Sequence, residues 1–346
     1  MNCRESVFLS LQRKKPDRVQ KMEPWVIDPI VIKQINESWS YYDLIEHTIE
    51  SVVVIPADPF FPPGQNRGKT AKNTSIDNWG VTWQWTKSST TYPVPVKPAI
   101  RDKKEIDSLN VPDPLAEYNF IALKEAVKRF KGKKAIAFFL HDALDWPSNI
   151  RGQDKLLMDF IQDPSFVKHL VEIVVNYQIL RIKRAISLGA EIIITGDDYC
   201  GKDGPFMSPK HFEEFVLPGL EKIVQITKEK GSFFIKHTDG NCWPIMDMLV
   251  GTGIDALNPI QPDVMDIEKV KDRYGDKIAL VGNIDCGKLL SYGSPEEVMK
   301  TVKRTIEKAA PGGGYLLSSS NCIHPMVKPE NYMAMLKAVE KYGKYD

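Results

Sequence analysis

The sequence predicts an α/β protein, a (β/α)8 TIM barrel with an N-terminal extension and a β-hairpin inserted after the second strand. Short β-branched apolar runs alternate with longer amphipathic segments, which is the pattern of parallel strands joined by crossover helices. Eight such runs occur within 346 residues, and this number and size fit one barrel. The chain has no Gly-x-Gly-x-x-Gly turn of the kind that opens a dinucleotide-binding doubly wound sheet.

The individual elements follow from this alternation. The predicted strands are 25–27, 52–55, 135–140, 191–194, 233–235, 256–257, 278–281 and 315–317. The predicted helices are about 37–48, 114–131, 154–188, 209–230, 243–252, 266–274, 295–309 and 328–342, and several open with Ser, Asp or Pro, as helices prefer. The Trp- and Val-rich segment 74–98 breaks the alternation, so we predict an inserted hairpin that forms a lip over the barrel mouth. We treat 1–346 as one domain.

Composition and charge restrict the classes of partner. The chain is 42% apolar and 26% charged, as in ordinary globular proteins. Its 46 basic and 45 acidic residues give a formal net charge of +1, which provides no basic surplus for nucleic acid. No apolar run reaches the ~20 residues of a membrane-spanning helix, and no signal-peptide core is present, so we expect a cytoplasmic protein. Five scattered cysteines suggest free thiols or ligands rather than disulfides.

Potential metal ligands follow three of the predicted strands, where a barrel places its chemistry. Asp197 and Asp198 follow the fourth strand, His237 and Asp239 the fifth, and Cys286 the seventh. An imidazole with carboxylates or a thiolate suits zinc, and a catalytic zinc keeps one coordination position open. Adjacent carboxylates also cap helices, and the sequence does not choose between Asp197 and Asp198. We expect Asp198, His237 and Asp239 to be the catalytic residues.

A second group of candidates would bind the substrate. His141, Trp146 and Arg151 lie in a loop after the third strand, whose aromatic and charged side chains suit a planar or anionic ligand. Capping of the following helix is the alternative explanation for that loop. The remaining substrate-binding candidates lie after other strands, at the same rim: Tyr199, Phe206, Asn258, Asn283 and Asn321.

Several motifs between residues 156 and 342 carry a family resemblance. They include Gly196-Asp-Asp198, Gly204-Pro-Phe-Met-Ser-Pro209, His237-Thr-Asp-Gly-Asn241, Gly253-Ile-Asp-Ala-Leu-Asn-Pro259 and Gly282-Asn-Ile-Asp-Cys-Gly287. In this order they resemble the uroporphyrinogen decarboxylase superfamily, which contains the decarboxylase of haem synthesis and zinc-dependent methyltransferases that use a corrinoid. The resemblance independently implies the (β/α)8 barrel. It is closest to the methyltransferases of O-demethylase systems.

The resemblance also implies a reaction. The decarboxylases carry an Arg-Gln-Ala-Gly-Arg stretch that grips substrate carboxylates, and residues 18–28 lack it. Methyltransferases acting on coenzyme M bind zinc through a His-x-Cys pair and a distant Cys, where this chain has Asp239 and Asn321. Oxygen donors leave zinc a stronger Lewis acid than thiolates do. The expected reaction therefore moves a methyl group from a methoxylated aromatic compound to the cob(I)alamin of a separate corrinoid protein.

Other readings remain open at this point. They are methyl transfer from a methylcobamide to coenzyme M or a pterin, uroporphyrinogen decarboxylation, and a non-catalytic barrel that binds a tetrapyrrole or corrinoid. The loop 60–72 and the Trp-rich hairpin are the candidate docking surfaces for the corrinoid protein, and a homodimer is a possible assembly.

Overall fold

Eight parallel strands form the centre of the protein. The computed structural model describes residues 1–25, 27–57, 74–85 and 93–345. The barrel strands are β1 (Gln20–Lys21), β2 (Val52–Pro56), β3 (Ala135–Leu140), β4 (Ile192–Thr195), β5 (Phe233–His237), β6 (Ala256–Asn258), β7 (Ala279–Ile284) and β8 (Tyr315–Ser319). Sequential strands pair in parallel from β2 to β8, and β8 pairs with β1. A bridge between Lys21 and Glu50 joins the two ends of the sheet, so the predicted barrel is confirmed.

Helices surround the strands. They are α1 (Cys3–Leu11), α2 (Pro29–Ile35), α3 (Tyr41–His47), α4 (Ile121–Phe130), α5 (Asp145–Arg151), α6 (Gln153–Gln162), α7 (Pro164–Leu188), α8 (Pro209–His211), α9 (Leu217–Glu229), α10 (Met246–Gly251), α11 (Ile267–Tyr274), α12 (Leu289–Tyr292), α13 (Pro295–Ala309) and α14 (Pro329–Tyr342). Short 3-10 helices span Lys103–Ser108, Glu117–Asn119 and Trp243–Ile245, and a π-helix at Phe212–Val216 joins α8 to α9. Within the described ranges, none of these helices has the length and apolar character needed to cross a membrane.

Side-chain alternation along the strands determines which residues reach the barrel mouth. One core cluster fills the barrel interior and includes Phe139 on β3, Ile194 on β4 and Ile235 on β5. Since successive side chains of a strand point to opposite faces, the residue two positions further along is again directed inward. On β3 and β5 this places His141 and His237 at the carboxyl ends of the strands, which is the catalytic face of such barrels.

The first predicted strand is wrong. The segment 25–27 contributes only an isolated bridge between Ile27 and Ile323 within the described residues, and the barrel strand is Gln20–Lys21. Lys21 is fully buried and pairs with Glu23 and Glu50. A buried ionic cluster thus replaces the apolar run by which the other strands are recognised.

The insertion after β2 is antiparallel, as predicted for 74–98, but it has one strand more than a hairpin. Thr74–Ile76 pairs with Thr82–Gln84, which in turn pairs with Val94–Lys97. Trp79 and Trp83 are buried, and the ring of Trp79 packs against Trp146 and Tyr177. The insertion therefore packs on the barrel, while the predicted docking loop 60–72 lies outside the described residues.

Candidate functional site

Three potential metal ligands converge at the barrel mouth. His237 ends β5, Asp239 lies in the following turn, and Asp198 follows β4. One ligand atom of each residue lies within 4.8 Å of the others, and His237 Nε2 is 3.8 Å from Asp239 Oδ1. Asp198 Oδ1 also accepts a hydrogen bond of 2.9 Å from the backbone N–H of Asp239. One nitrogen and two carboxylates make a donor set that fits zinc with a position left open.

The carboxylate of Asp239 has one satisfied oxygen and one orphaned oxygen. Asn321 donates to Oδ2 at 2.5 Å, whereas the buried Oδ1 has no hydrogen-bond partner among the described residues. Burial raises the pKa of Asp239 to about 6; the charge of His237 opposes this shift and that of Asp198 adds to it. A buried acceptor without a donor is costly, and a cation beside His237 would compensate for it. The residues present therefore fit a divalent metal ion.

The orientation of His237 is determined by a chain of hydrogen bonds behind it. The side-chain amide of Asn258 donates to the carbonyl of Val281 at 2.9 Å and to the hydroxyl of Ser318 at 3.1 Å. Because this fixes which end of the amide is nitrogen, its oxygen faces His237 Nδ1 at 2.5 Å. Nδ1 must then carry a proton, so that in the neutral imidazole the lone pair of Nε2 is directed towards Asp239. Asn258, expected to contact substrate, instead supports the imidazole, as residues behind metal ligands do.

An aromatic cavity opens beside this group. The volume of the cavity that water-sized molecules can reach is about 360 Å³. Its aromatic walls come from the barrel, the inserted sheet and the neighbouring helices: Trp25, Trp79, Trp83, Tyr118, Phe139, Trp146 and Tyr177. Trp25 stacks on His237 with ring centroids 5.7 Å apart and an interplanar angle of 15°. Asp198, His237 and Asn321 also line the cavity, and no Lys or Arg does so in the described part of the chain.

Asp197 belongs to a different group from Asp198. Its carboxylate accepts the backbone N–H groups of Asp142, Leu144 and Asp145 at 2.9, 2.6 and 2.9 Å, and it lies 3.0 Å from His141 Nδ1. Burial opposes ionisation of Asp197, but the hydrogen bond and charge of His141 outweigh it and hold the pKa below its ordinary value. Protein donors already occupy both oxygens, so Asp198 is the carboxylate that the structure brings to His237.

A buried ion pair supports the loop of residues 142–145 on the side away from the cavity. Lys236 Nζ lies 2.7 Å from Asp142 Oδ2, and both side chains are 0% exposed. The same ammonium donates to the carbonyl of Asp197 at 3.0 Å. Tyr199 donates its hydroxyl to Asp142 Oδ1 at 2.5 Å, so this tyrosine lies behind the cavity wall. Burial and the charge of Asp197 raise the pKa of Asp142, while Lys236 opposes the shift.

Four other predicted residues lie outside the cavity: Arg151, Phe206, Asn283 and Cys286. Arg151 is buried and bonded to Asp159, with 2.7 Å between Nε and Oδ2. Phe206 is 43% exposed, and Asn283 donates to a backbone carbonyl at 2.8 Å. The thiol of Cys286 lies 3.5 Å from the hydroxyl of Ser320, apart from the group around His237. His141, Trp146 and Asn321, by contrast, all line the cavity.

Sequence analysis did not identify Phe139, Lys236 and Trp25 as parts of the site. Phe139 was recognisable, since it lies two residues before His141 on the same face of a strand. Lys236 also gave a signal, because a charge within an apolar strand is rarely buried without a partner. No feature of the sequence indicates Trp25, because its position beside His237 depends on closure of the barrel.

Comparison with known proteins agrees with this architecture. Two curated uroporphyrinogen decarboxylases, from Thioalkalivibrio sulfidiphilus and Pseudoalteromonas atlantica, are each 26% identical over 265 and 257 residues, covering 70% of this chain and of the relative. The solved structure of a methyltransferase from Methanosarcina mazei superposes with a TM-score of 0.78 and 18% identity over 99% of both chains, a likeness of fold. The family model described as uroporphyrinogen decarboxylase (URO-D) matches residues 75–342. This match includes Asp198, His237 and Asp239, and the chain therefore belongs to the uroporphyrinogen decarboxylase family.

Proposed function

We propose that this protein transfers the methyl group of a methoxylated aromatic compound to the cob(I)alamin of a separate corrinoid protein, with zinc held by Asp198, His237 and Asp239. The observation that carries the proposal is the position of Asp198 and His237, grouped with Asp239, in the wall of an aromatic cavity without Lys or Arg among its described lining residues. A porphyrinogen has eight carboxylates and requires cationic partners. A methoxylated ring requires flat apolar walls instead.

Each part of the site has a role in this reaction. Trp146 and Trp25 would hold the ring, and His237 with the two carboxylates would hold zinc near the ether oxygen. When bound, zinc supplies Lewis acidity that withdraws electron density from that oxygen and makes the methyl carbon more electrophilic. Asn321 fixes one oxygen of Asp239 at 2.5 Å. A ring bound between these walls would displace water, which strengthens electrostatic interactions inside the cavity.

The donor set favours an ether over a thiol as the reaction partner. In the described part of the chain, no cysteine belongs to the group around His237. Activation of coenzyme M by zinc relies on thiolate ligands in the relatives that this chain resembles, so the oxygen-rich group supports methyl donation from an ether. Docking of the corrinoid protein over the inserted sheet remains part of the proposal.

Zinc analysis combined with a methyl-transfer assay tests the proposal. The purified chain should contain about one zinc ion, and with a methoxybenzoate and cob(I)alamin it should form methylcob(III)alamin, followed by absorbance. His237→Ala and Asp198→Asn should lose both zinc and transfer. His169→Ala, at an exposed position on α7, serves as the matched control and should retain both.

Three results would contradict the proposal. They are a chain that binds no zinc when titrated, full transfer by the His237→Ala variant, and turnover of methylcobalamin with coenzyme M in place of the aryl ether. Release of carbon dioxide from uroporphyrinogen would return the protein to the decarboxylase activity of its relatives.

A further inference from the structure

A second histidine lines the same cavity in a different environment. His141 follows β3, and its ring stands edge-on to Phe139 and Trp146, with centroids 6.1 and 6.2 Å away. Its Nδ1 lies 3.0 Å from an oxygen of Asp197 and 3.3 Å from an oxygen of Asp145. Both neighbours are acceptors, so Nδ1 must carry a proton. Nε2 has no hydrogen-bond partner among the described residues.

The two histidines have different hydrogen-bond partners. His237 faces the neutral amide oxygen of Asn258, whereas the charged groups that face His141 are the carboxylates of Asp145 and Asp197. Burial alone would lower the pKa of His141, but the hydrogen bonds and charges of these carboxylates outweigh it and raise the pKa well above its ordinary value.

The strand between β3 and β5 contributes no side chain at this level, and the ring of Phe139 occupies the room this leaves, since a Cβ on Gly196 would clash with it. Gly196 follows β4 at the inward position between the two imidazoles, and it has no side chain. Trp25 contacts both rings, with centroids 5.7 Å from His237 and 6.4 Å from His141. Both histidines line the aromatic cavity, so both border the space that a bound ligand would occupy.

We propose that His141 donates a proton to the ring oxygen from which the methyl group departs. This inference rests on the proposed function and adds a catalytic residue to it. The methyl carbon forms a bond to cobalt as its bond to oxygen breaks. The electron pair of that bond stays on oxygen, which takes the Nε2 proton and leaves as a phenol, and the imidazole regains a proton from water. Asp145 and Asp197 position the imidazolium and belong to a different group from the proposed zinc ligands.

The first experiment varies the leaving group. His141→Gln keeps a hydrogen-bond donor but cannot give up a proton. We expect it to lower kcat/KM for 4-methoxytoluene by ~10²–10³-fold, the usual contribution of a general acid. For 4-nitroanisole, whose phenolate leaves without a proton, we expect a loss below about tenfold. Equal losses for the two ethers would overturn the proposal, as would unchanged activity with 4-methoxytoluene.

The second experiment needs neither zinc nor corrinoid. The metal-free chain is titrated with 4-nitrophenol, whose phenolate is followed by its absorbance. We expect wild type to bind the phenolate at least about tenfold more tightly than His141→Gln, and equal affinities would refute a cationic subsite. Zinc content should be unchanged in the variant, which separates this role from metal binding, and both chains are titrated well below the melting temperature of the less stable one, which separates it from folding. If wild type transfers no methyl group, the proposed function fails, and the phenolate titration still decides the role of His141.

Discussion

Replacing Lys236 by Met should leave a buried carboxylate without its cation. The 2.7 Å ion pair with Asp142 is completely buried, and Met keeps most of the length of the lysine chain. Tyr199 would still donate to the other oxygen of Asp142, so the unpaired charge is the main change. Breaking a buried pair from one side costs about 3–5 kcal/mol, and we expect the free energy of unfolding to fall by that amount.

Calorimetry converts this loss into a melting temperature. At ~2.1 cal/mol/K per residue, a chain of 346 residues has an unfolding entropy of about 0.7 kcal/mol/K. The melting temperature of Lys236→Met should therefore fall by ~4–7 °C. The double variant Lys236→Met/Asp142→Asn should regain at least half of the loss, because no buried charge is left. Lys222→Met, at an exposed position on α9, is the control and should melt like wild type.

The pH dependence of the loss provides the decisive check. Burial already raises the pKa of Asp142, and Lys236 limits that shift, so the variant should raise it further. An acid whose pKa is higher in the folded than in the unfolded state loses stability as the pH rises through that interval. The variant should match wild type near pH 4 and fall progressively behind it at higher pH. A loss below about 1 kcal/mol, or one that does not change with pH, would refute the reasoning.

Three further predictions concern the site. Asn258→Leu should weaken zinc binding by ~10–100-fold, measured against a competing chelator, and should change the tautomer of His237 in nitrogen NMR; unaltered affinity would contradict the supporting role. Zinc affinity of wild type should fall as the pH drops through about 6, since Asp239 has its pKa raised to about 6 and must lose its proton to bind a cation; a flat profile from pH 5 to 7 would argue against Asp239 as a ligand. Gly196→Ala would place a Cβ 2.1 Å from Cζ of Phe139 and should cost about 1–3 kcal/mol, which Phe139→Leu should partly restore; the same melting temperature in wild type and Gly196→Ala would exclude the clash.

Apolar runs predict seven of the eight barrel strands because parallel strands covered on both faces are apolar throughout. β1 escapes that rule, since Lys21 is buried through its pairing with Glu23 and Glu50. The predicted helix 154–188 divides because Pro164 begins a new helix and Asp163 caps it. That signal was present in the sequence, as the residue before a proline disfavours helix.

The candidate site was less accessible to sequence reasoning. Asp197 and Asp198 are adjacent in a loop, so no periodicity distinguishes their directions. The choice depends on the backbone N–H groups of residues 142–145, which surround Asp197. Similarly, an asparagine such as Asn258 could contact substrate as well as support a histidine. Its role follows from the positions of Val281 and Ser318, which accept from the amide nitrogen and so direct the oxygen towards the imidazole.

The Asp197-Asp198 dipeptide connects two loops of the pocket. One carboxylate holds the backbone of residues 142–145, and the other holds the backbone N–H of Asp239. A shift of either loop is thus transmitted through a single peptide unit to the opposite side of the pocket. Attempts to engineer the range of ligands should leave this dipeptide intact and vary the tryptophans of the inserted sheet, a separate element of the fold.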